Sequence, residues 1–338
     1  MHNKMTVLHN CPSLLSAGYS SYCPKALKLL FDGKRVNHIL SFNIDEFRNT
    51  GEIASAIKRI SVSGVQEKFP AIIEGEQIRI TKNDERSTYI LKPSPWDPTL
   101  SDRKFVPVNE NLTMQIASQV YGIITAANGL CFTENGQSLY ITRRFDVLPD
   151  GSRLAMEDFA AVVGRNEQED GDNYKYEGCF EDIAVAIKNN VSAWMVDMER
   201  FFELVVFNYI YANGDDHLKN FSLILQGEDY RLAPAYDLLN TSLHLNGDDF
   251  GLNGGLSPDI VKSDVYLKTG HPCRLDFERF AERIGIVGIR SKRILDKYVS
   301  LPEKAIDLIN KSLLTEKLKR KYIRIVKERI GRFIRDGE

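Results

Sequence analysis

The sequence predicts an α+β protein of two lobes, with a β-rich N-terminal lobe and a helical C-terminal lobe. The chain has 338 residues, which corresponds to about two domains of roughly 150 residues each. Short apolar runs separated by turn residues lie mostly before residue 145, whereas long helical patterns follow residue 155. We therefore place the N-terminal lobe at residues 1–150 and the C-terminal lobe at residues 151–338.

The composition excludes several classes of protein. Hydrophobic residues make up 43% and charged residues 27% of the chain, so disordered and collagen-like classes are excluded. The net charge of −2 gives no support to direct nucleic-acid binding, and no apolar run is long enough to span a membrane. The five cysteines are scattered and form no C-x-x-C pair, which argues against zinc and disulfides and favours a cytoplasmic location.

The N-terminal lobe begins with helical and then β patterns. Residues 24–42 predict a short helix, a turn at Asp32-Gly33 and an apolar segment. Between residues 60 and 92, three β-branched or apolar runs predict strands, with turns at residues 74–76 and 83–85.

The rest of this lobe alternates between loop, helix and strand. Residues 93–107 contain four prolines and no periodicity, which predicts a long exposed loop. A helix is expected from Asn109, with Glu110 in its first turn, where the helix dipole favours a carboxylate. Residues 138–145 predict a further strand.

Two helical patterns dominate the C-terminal lobe. Residues 201–211 are almost wholly apolar and predict a helix buried on most sides, followed by a loop and a strand over residues 220–225. The last 28 residues hold ten Lys or Arg against four Asp or Glu. Their apolar positions, Ile323, Ile325, Ile330 and Phe333, predict a basic amphipathic helix.

The most informative motif follows the buried helix. Asp215 and Asn220 are five positions apart with a basic residue between them, as in the kinase catalytic loop H-R-D-x-x-x-x-N. There the carboxylate accepts the proton of a substrate hydroxyl and the amide oxygen binds Mg²⁺. Residues 246–249 repeat the tetrapeptide N-G-D-D without a following His, Lys or Asn. The tetrapeptide alone therefore predicts only a turn, and the extension through Asn220 carries the functional interpretation.

Three further residues extend this pattern to a kinase-type phosphoryl-transfer site. Asp237 follows the predicted strand and its turn, where such enzymes carry a second metal-binding carboxylate. Lys92 ends a predicted strand and can present a cation to nucleotide phosphates. Glu110, eighteen positions later, is a candidate ion-pair partner. The structural alternatives are a solvated lysine and a carboxylate favoured by a helix dipole.

The sequence lacks a Gly-rich kinase loop. Its place is taken by residues 61–68, SVSGVQEK, which contain a single glycine. Backbone amides around Ser63 and Gly64 can still form a nest for phosphates, with Lys68 nearby. The alternative is the start of a polar strand.

At these motifs the chain resembles the HipA family of bacterial serine/threonine kinase toxins. Its length resembles the shorter HipT-type kinases, in which a small separate protein supplies the N-terminal subdomain. The resemblance rests on SVSGVQEK (61–68), YILKPSP (89–95), NENLTMQIA (109–117), ITRRFD (141–146), NGDDHLKNFSLI (213–224) and LAPAYDLLNT (232–241).

The resemblance implies a bilobal protein-kinase-like fold and a set of site residues. Asp215 would be the catalytic base, with Lys219 and His217 in the same loop. The remaining assignments are ATP phosphate binding by Lys92 with Glu110, magnesium binding by Asn220 and Asp237, and an adenine hinge at about 141–146 that includes Arg143, Arg144 and Phe145.

The resemblance also implies an activity and partners. It implies an ATP- and Mg²⁺-dependent protein serine/threonine kinase, the toxin of a toxin–antitoxin system, autophosphorylated on Ser61 or Ser63. The substrate would be an aminoacyl-tRNA synthetase, and the partner an antitoxin of DNA-binding type. The hinge departs from the family pattern, because Arg143 stands where an acidic residue is frequent.

Two other interpretations remain open. Small-molecule kinases of the aminoglycoside or choline type share an H-G-D-x-x-x-x-N loop, although the SVSGVQEK and AYDLL segments favour the HipA family. An inactive binding subunit of a DNA-binding repressor complex is the other interpretation, and the basic C-terminal helix is the feature that suggests it.

Overall fold

The computed structural model describes residues 7–44, 67–82 and 85–335. It divides into two compact units, each with its own sheet and helices. The first unit comprises Met1–Ile116, Ala126–Ser152 and Asp307–Lys319, and the second comprises Ala117–Thr125, Arg153–Ile306 and Arg320–Glu338.

The first unit is built on a five-stranded antiparallel sheet with the order β2-β1-β3-β5-β4. The strands are β1 (Phe69–Glu74), β2 (Gln77–Ile80), β3 (Tyr89–Lys92), β4 (Asn128–Phe132) and β5 (Ser138–Arg143). Strand β3 lies at the centre, and its last residue, Lys92, pairs with Tyr140 of β5. The predicted strands between residues 60 and 92 are confirmed for residues 69–92.

The first helix of this unit also follows the prediction. Helix α1 (Pro24–Phe31) begins with a proline. Proline lacks a backbone N–H, but the N–H at the first position of a helix has no intrahelical partner, so no helical hydrogen bond is lost. It ends at Asp32, which adopts a left-handed conformation with φ of 54°. The buried faces of α1 and of strands β1, β3 and β5 share one apolar core. Its members include Leu30, Phe31, Phe69, Leu91 and Ile141.

Helix α2 (Val106–Ile116) begins three residues earlier than predicted. A proline is tolerated in the first turn of a helix, so Pro107 does not delay the start. Glu110 therefore lies in the second turn, and its predicted place in the first turn was wrong. The long exposed loop was also wrong in part, because residues 93–95 are buried and residues 103–105 form a 3-10 turn.

The second unit contains a three-stranded antiparallel sheet with the order β6-β7-β8. Its strands are β6 (Met156–Asp158), β7 (Ser222–Gln226) and β8 (Asp229–Leu232). Gly227, with φ of 67°, makes the turn between β7 and β8. The predicted strand over residues 220–225 begins two residues late, because residues 218–220 form a 3-10 turn.

Helices form the rest of the second unit and the C-terminal part of the chain. They are α3 (Phe159–Val162), α4 (Glu167–Asp170), α5 (Phe180–Asn190), α6 (Trp194–Ile210), α7 (Asp264–Thr269), α8 (Arg274–Arg283), α9 (Gly288–Leu295), α10 (Glu303–Lys311) and α11 (Glu316–Phe333). Of the helices that the structure describes, none is long and apolar enough to cross a membrane.

Helix α6 contains most of the predicted apolar segment 201–211, which is buried except at Glu203. Phe201 of α6 and Phe180 of α5 both pack against Phe221, with ring centroids 5.6 and 6.1 Å away. Phe221 directly follows Asn220, so this aromatic cluster fixes the end of the predicted catalytic loop.

Helix α11 is amphipathic, as predicted, but its buried stripe differs from the prediction. Tyr322, Val326, Ile330 and Phe333 are buried at helical spacing. Ile323 and Ile325 are only half-buried, so their assignment to the stripe was wrong. Tyr322 and Val326, each one position from a predicted residue, lie in the buried stripe instead.

Candidate active site

Lys92 and Glu110 form a buried ion pair in the first unit. Lys92 Nζ lies 2.6 Å from Glu110 Oε1, and the two side chains are 3% and 1% exposed. The ammonium group also lies over the Tyr140 ring, 5.3 Å from its centroid. Because buried charges require partners, Glu110 fixes the cation at the end of β3. The predicted ion pair is present, and its role toward ATP remains a prediction.

The predicted hinge residues Arg143 and Arg144 make contacts within the first unit. The Arg143 guanidinium pairs with Asp32, and Arg144 pairs with Asp146 at 2.6 Å. The backbone N–H groups of both arginines donate 2.9 Å hydrogen bonds to carbonyl oxygens of the same unit. These two donors are therefore used internally, and the expected backbone contacts to a base must come from other groups of the segment.

The other predicted nucleotide-binding residues are placed only in part. Phe145 follows the two arginines and is half-buried, and Lys68 directly precedes β1 and is also half-buried. Ser61, Ser63 and Gly64 lie outside the described residues. The assignments of these five residues remain predictions.

The predicted catalytic loop begins directly after α6 and ends in the 3-10 turn Leu218–Asn220. Asn220 Nδ2 donates a 2.7 Å hydrogen bond to the backbone oxygen of Asp215. This bond uses the nitrogen of the amide, so the Asn220 carbonyl oxygen is the atom suited to a cation. The spacing of five residues thus closes a loop that holds the predicted base and the predicted metal ligand together.

Thr241 holds the start of this loop. Its hydroxyl accepts a 2.9 Å hydrogen bond from the Gly214 N–H and donates a 3.0 Å bond to the Ala212 oxygen. Ala212 has φ of 53°, a left-handed conformation uncommon outside glycine. The two hydrogen bonds of Thr241 stabilise this unusual backbone next to Asp215.

Tyr176 contacts the predicted base directly. Its hydroxyl donates a 2.9 Å hydrogen bond to Asp215 Oδ1, and burial together with the Asp215 charge raises the pKa of Tyr176. The Tyr176 ring also meets the His217 ring edge-on, with centroids 5.1 Å apart. Burial lowers the pKa of His217 to about 4, so this imidazole is neutral at pH 7.

Lys219 reaches a second tyrosine of the same turn. Its Nζ donates a 3.2 Å hydrogen bond to the Tyr174 hydroxyl and lies 3.8 Å from Asp158 Oδ2. Tyr174 and Tyr176 both belong to the 3-10 turn Tyr174–Tyr176. These contacts hold the Lys219 side chain in the predicted catalytic loop.

The segment that carries Asp237 is tied to the same loop. The hydroxyl of the preceding residue, Tyr236, donates a 2.9 Å hydrogen bond to the Lys219 backbone oxygen. Asp237 itself has φ of 56°, and its negative charge acts on His217, where it opposes the effect of burial on the pKa. The β7–β8 hairpin thus returns Asp237 toward the loop.

The two N-G-D-D segments of the sequence lie against each other. A Cβ atom on Gly214 would meet the Asp248 backbone oxygen at 2.7 Å. Three residues after Asp248, the Gly251 N–H donates a 2.6 Å hydrogen bond to Asp216 Oδ1. Asp216 is fully buried, and burial raises its pKa well above the usual range. The second N-G-D-D segment and Gly251 therefore pack against the predicted catalytic loop and hold its Asp216 side chain.

Oxygen donors suit the predicted magnesium site. Asn220 offers an amide oxygen and Asp237 a carboxylate, and Mg²⁺ in phosphoryl-transfer sites takes its other ligands from water and phosphates. Among residues 7–44, 67–82 and 85–335, no group of three or more His, Cys, Asp or Glu is arranged to hold a metal. A site of one Asn and one Asp is compatible with that finding.

Sequence reasoning missed Tyr174, Tyr176 and Gly251. The two tyrosines come from a turn about 40 residues before the loop, and a Y-K-Y triplet has no recognisable spacing. The repeated N-G-D-D lies just before Gly251, but the tetrapeptide alone predicts only a turn.

A protein-family model matches most of this chain. The family model described as HipA-like C-terminal domain matches residues 60–306. A Haemophilus influenzae protein named "Putative kinase" is 28% identical over 231 residues, which cover 66% of this chain and 64% of the relative. "Putative kinase Y4dM" of Sinorhizobium fredii is 33% identical over 215 residues, covering 56% and 47%. The chain thus spans about half to two thirds of the length of these relatives.

Solved structures share the fold. The HipA toxin of Shewanella oneidensis MR-1, in a complex with HipB and operator DNA, matches with a TM-score of 0.63 at 18% identity, covering 81% of this chain and 65% of that one. The proinflammatory kinase CtkA of Helicobacter pylori matches with a TM-score of 0.50 at 16% identity, covering 78% and 93%. These likenesses confirm the predicted α+β kinase-like fold class.

Proposed function

The chain belongs to the HipA-like C-terminal domain family, and we propose on this premise that it is an ATP- and Mg²⁺-dependent protein serine/threonine kinase. The observation that carries the proposal is the closed loop in which Asn220 donates to the Asp215 backbone oxygen at 2.7 Å. That loop presents a carboxylate and an amide oxygen together, the two groups that phosphoryl transfer to a hydroxyl requires.

Each residue of the second unit has a distinct proposed role. Asp215 accepts the proton of the acceptor hydroxyl, and Lys219 stabilises negative charge on the phosphoryl group. Asn220 and Asp237 hold Mg²⁺, which when bound neutralises charge on the phosphates. His217 is neutral, because burial lowers its pKa to about 4. It supports the loop through its contact with Tyr176.

The first unit supplies the proposed contacts to ATP. Lys92, held by Glu110, contacts the phosphates, and its fixed position lowers the entropy lost on binding. The loop with Ser63, Gly64 and Lys68 covers the phosphates through backbone amides. The segment with Arg143, Arg144 and Phe145 lines the adenine, and the internal use of the two arginine N–H groups limits the atoms available for that contact.

We further propose autophosphorylation on Ser61 or Ser63. A phosphoserine there carries close to two negative charges and would repel ATP phosphates while pairing with a lysine such as Lys92 or Lys68. Modification would then lower kinase activity. Replacing both serines with alanine should leave transfer to other proteins intact and remove phosphate from this segment.

The biological role that fits this activity is that of a toxin in a toxin–antitoxin system. The Shewanella oneidensis structure contains HipA with HipB and operator DNA, which supports an antitoxin of DNA-binding type as partner. A small separate protein equivalent to the N-terminal subdomain is a second proposed partner, and an aminoacyl-tRNA synthetase is the proposed substrate. Any contact with DNA runs through the antitoxin.

Intact-mass spectrometry after incubation with Mg-ATP tests the activity. We expect the wild-type chain to gain one or two phosphates, and Asp215→Asn and Asp237→Asn to gain none while remaining folded. Phosphate gained by both variants would contradict the assigned site. Transfer to aminoglycosides or choline without transfer to protein would indicate a small-molecule kinase, and the absence of any transfer would indicate a binding subunit.

A further inference from the structure

One short turn of the second unit contacts two side chains of the proposed catalytic loop, Asp215 and Lys219. The Tyr176 hydroxyl donates to Asp215 Oδ1 at 2.9 Å, and the Tyr174 hydroxyl accepts from Lys219 Nζ at 3.2 Å. We propose that Tyr176 is a positioning residue that orients the Asp215 carboxylate for proton abstraction. This inference rests on the proposed kinase function.

Tyr176 is itself held in place, which a positioning role requires. Its ring meets the His217 ring at an interplanar angle of 75°, and Lys175 Nζ lies 4.7 Å from its centroid on the ring face. Both neighbours of Tyr176 in the turn, Tyr174 and Lys175, are 7% exposed. The hydroxyl therefore projects from a packed turn rather than from a mobile loop.

The chemistry suits a neutral donor. An ionised carboxylate accepts hydrogen bonds on two oxygens, and the phenol engages Oδ1 without adding a positive charge that would weaken the base. A lysine or arginine at this position would form a salt bridge and stabilise the carboxylate against protonation. Burial and the Asp215 charge both keep Tyr176 protonated by raising its pKa.

The proposed step is balanced without any proton from Tyr176. The acceptor oxygen forms a bond to the γ-phosphorus, the bond between that phosphorus and the bridging oxygen of ADP breaks, and the acceptor proton moves to Asp215 Oδ2. Tyr176 keeps its proton and its hydrogen bond to Oδ1 throughout. Its contribution is the fixed direction of Oδ2, which is a geometric and entropic effect.

Tyr176→Phe in the full chain tests this role, because it removes the hydroxyl and keeps the ring contacts with His217 and Lys175. A positioning role lowers kcat by about tenfold or more while the KM for ATP stays within about twofold. The thermal midpoint, and its rise with Mg-ATP, should match the wild type. Tyr230→Phe, the same change at a half-buried residue of β8, is the matched control and should keep the wild-type kcat.

A double-mutant cycle separates positioning from a general structural effect. In an Asp215→Ala background, Tyr176→Phe should cause no further loss of the residual rate, because the group it orients is absent. An equal loss in both backgrounds, or a kcat at or above the wild-type value for Tyr176→Phe, would overturn the inference. Wild-type protein without any phosphate transfer would instead refute the proposed function, so the two failures are distinguishable.

Discussion

The Lys92 ammonium and the Glu110 carboxylate lie 2.6 Å apart, and their side chains are almost fully buried, 3% and 1% exposed. Removing two charges from water costs several kcal/mol per ion, and the attraction within a buried pair often only offsets that cost. The pair therefore fixes the position of the Lys92 ammonium group more than it stabilises the fold. Replacing either residue alone removes this ion pair but leaves the other charge in its buried position.

Single replacements in this pair should be more damaging than the double replacement. We expect Lys92→Met or Glu110→Gln to lower the free energy of unfolding by about 3–5 kcal/mol, and Lys92→Met/Glu110→Leu to recover a large part of that loss. Urea denaturation measures these values. Lys311→Met, in the exposed pair with Asp307, is the control and should cost under about 1 kcal/mol. A double variant as unstable as the sum of the single ones would argue against a coupled pair.

Asp215 and Asp237 should differ in their effect on nucleotide binding. A ligand that binds the folded state raises the thermal midpoint, and the rise grows with the logarithm of its affinity. Asp237→Asn should lose the part of the ATP-induced rise that depends on Mg²⁺, because a metal ligand is removed. Asp215→Asn should keep that rise and lose at least about 10²-fold in transfer rate.

Thermal melting with ATP in MgCl₂ and in EDTA separates these two variants. The control is Asp229→Asn, a half-buried aspartate of β8 in the same unit, which should behave like the wild type in both buffers. If Asp237→Asn retained the full magnesium-dependent rise, the assignment of Asp237 as a metal ligand would be wrong.

His217 should make stability depend on pH. Burial lowers its pKa from 6.5 to about 4, so the unfolded chain takes up a proton below about pH 6.5 and the folded chain does so only near pH 4. Between these values the unfolded state binds more protons, and stability falls as the pH falls. The total effect of this group is roughly 3 kcal/mol at most, lost between about pH 6.5 and 4.

Denaturation at several pH values tests this effect by comparing His217→Gln with the wild type. The variant should lose less stability on acidification across the same window, since it has no group to protonate. His9→Gln, at an exposed position, is the control and should retain the wild-type pH dependence. Identical slopes for His217→Gln and the wild type would show that His217 is not buried in its neutral form.

The sequence predicted the parts of the site that depend on spacing along the chain. The interval between Asp215 and Asn220 closes one loop, and the strand-end Lys92 has its partner eighteen positions later, in the second turn of α2. Contacts between distant segments could not be predicted, because tertiary packing determines them. The Tyr176 contact with Asp215 and the position of Gly251 against Asp216 are of this kind.

Local errors had a different cause. The pattern of α11 offered two overlapping apolar series, and only packing selects the one with Tyr322 and Val326. The start of α2 was misplaced because prolines were interpreted as loop residues, whereas a proline in the first helical turn loses no hydrogen bond.

Gly251, two residues after the second N-G-D-D segment, lies directly against the backbone of the catalytic loop. A Cβ atom at this position would lie 2.6 Å from the Asp216 backbone nitrogen and 2.8 Å from its carbonyl carbon. Both are backbone atoms, so no side-chain rotation can relieve the contact. Because Asp216 adjoins the proposed base, a displacement here should reach Asp215.

Gly251→Ala should therefore reduce both stability and activity. We expect a loss of about 1–3 kcal/mol in the free energy of unfolding from overpacking, together with a lower kcat as the loop shifts. Gly331→Ala is the matched control, because a Cβ atom there meets nothing within 4 Å. At this exposed position of helix α11 the change should stabilise by about 0.5–1 kcal/mol and leave kcat unchanged. Equal behaviour of the two alanine variants in denaturation and in phosphate transfer would show that the loop does not depend on this close contact.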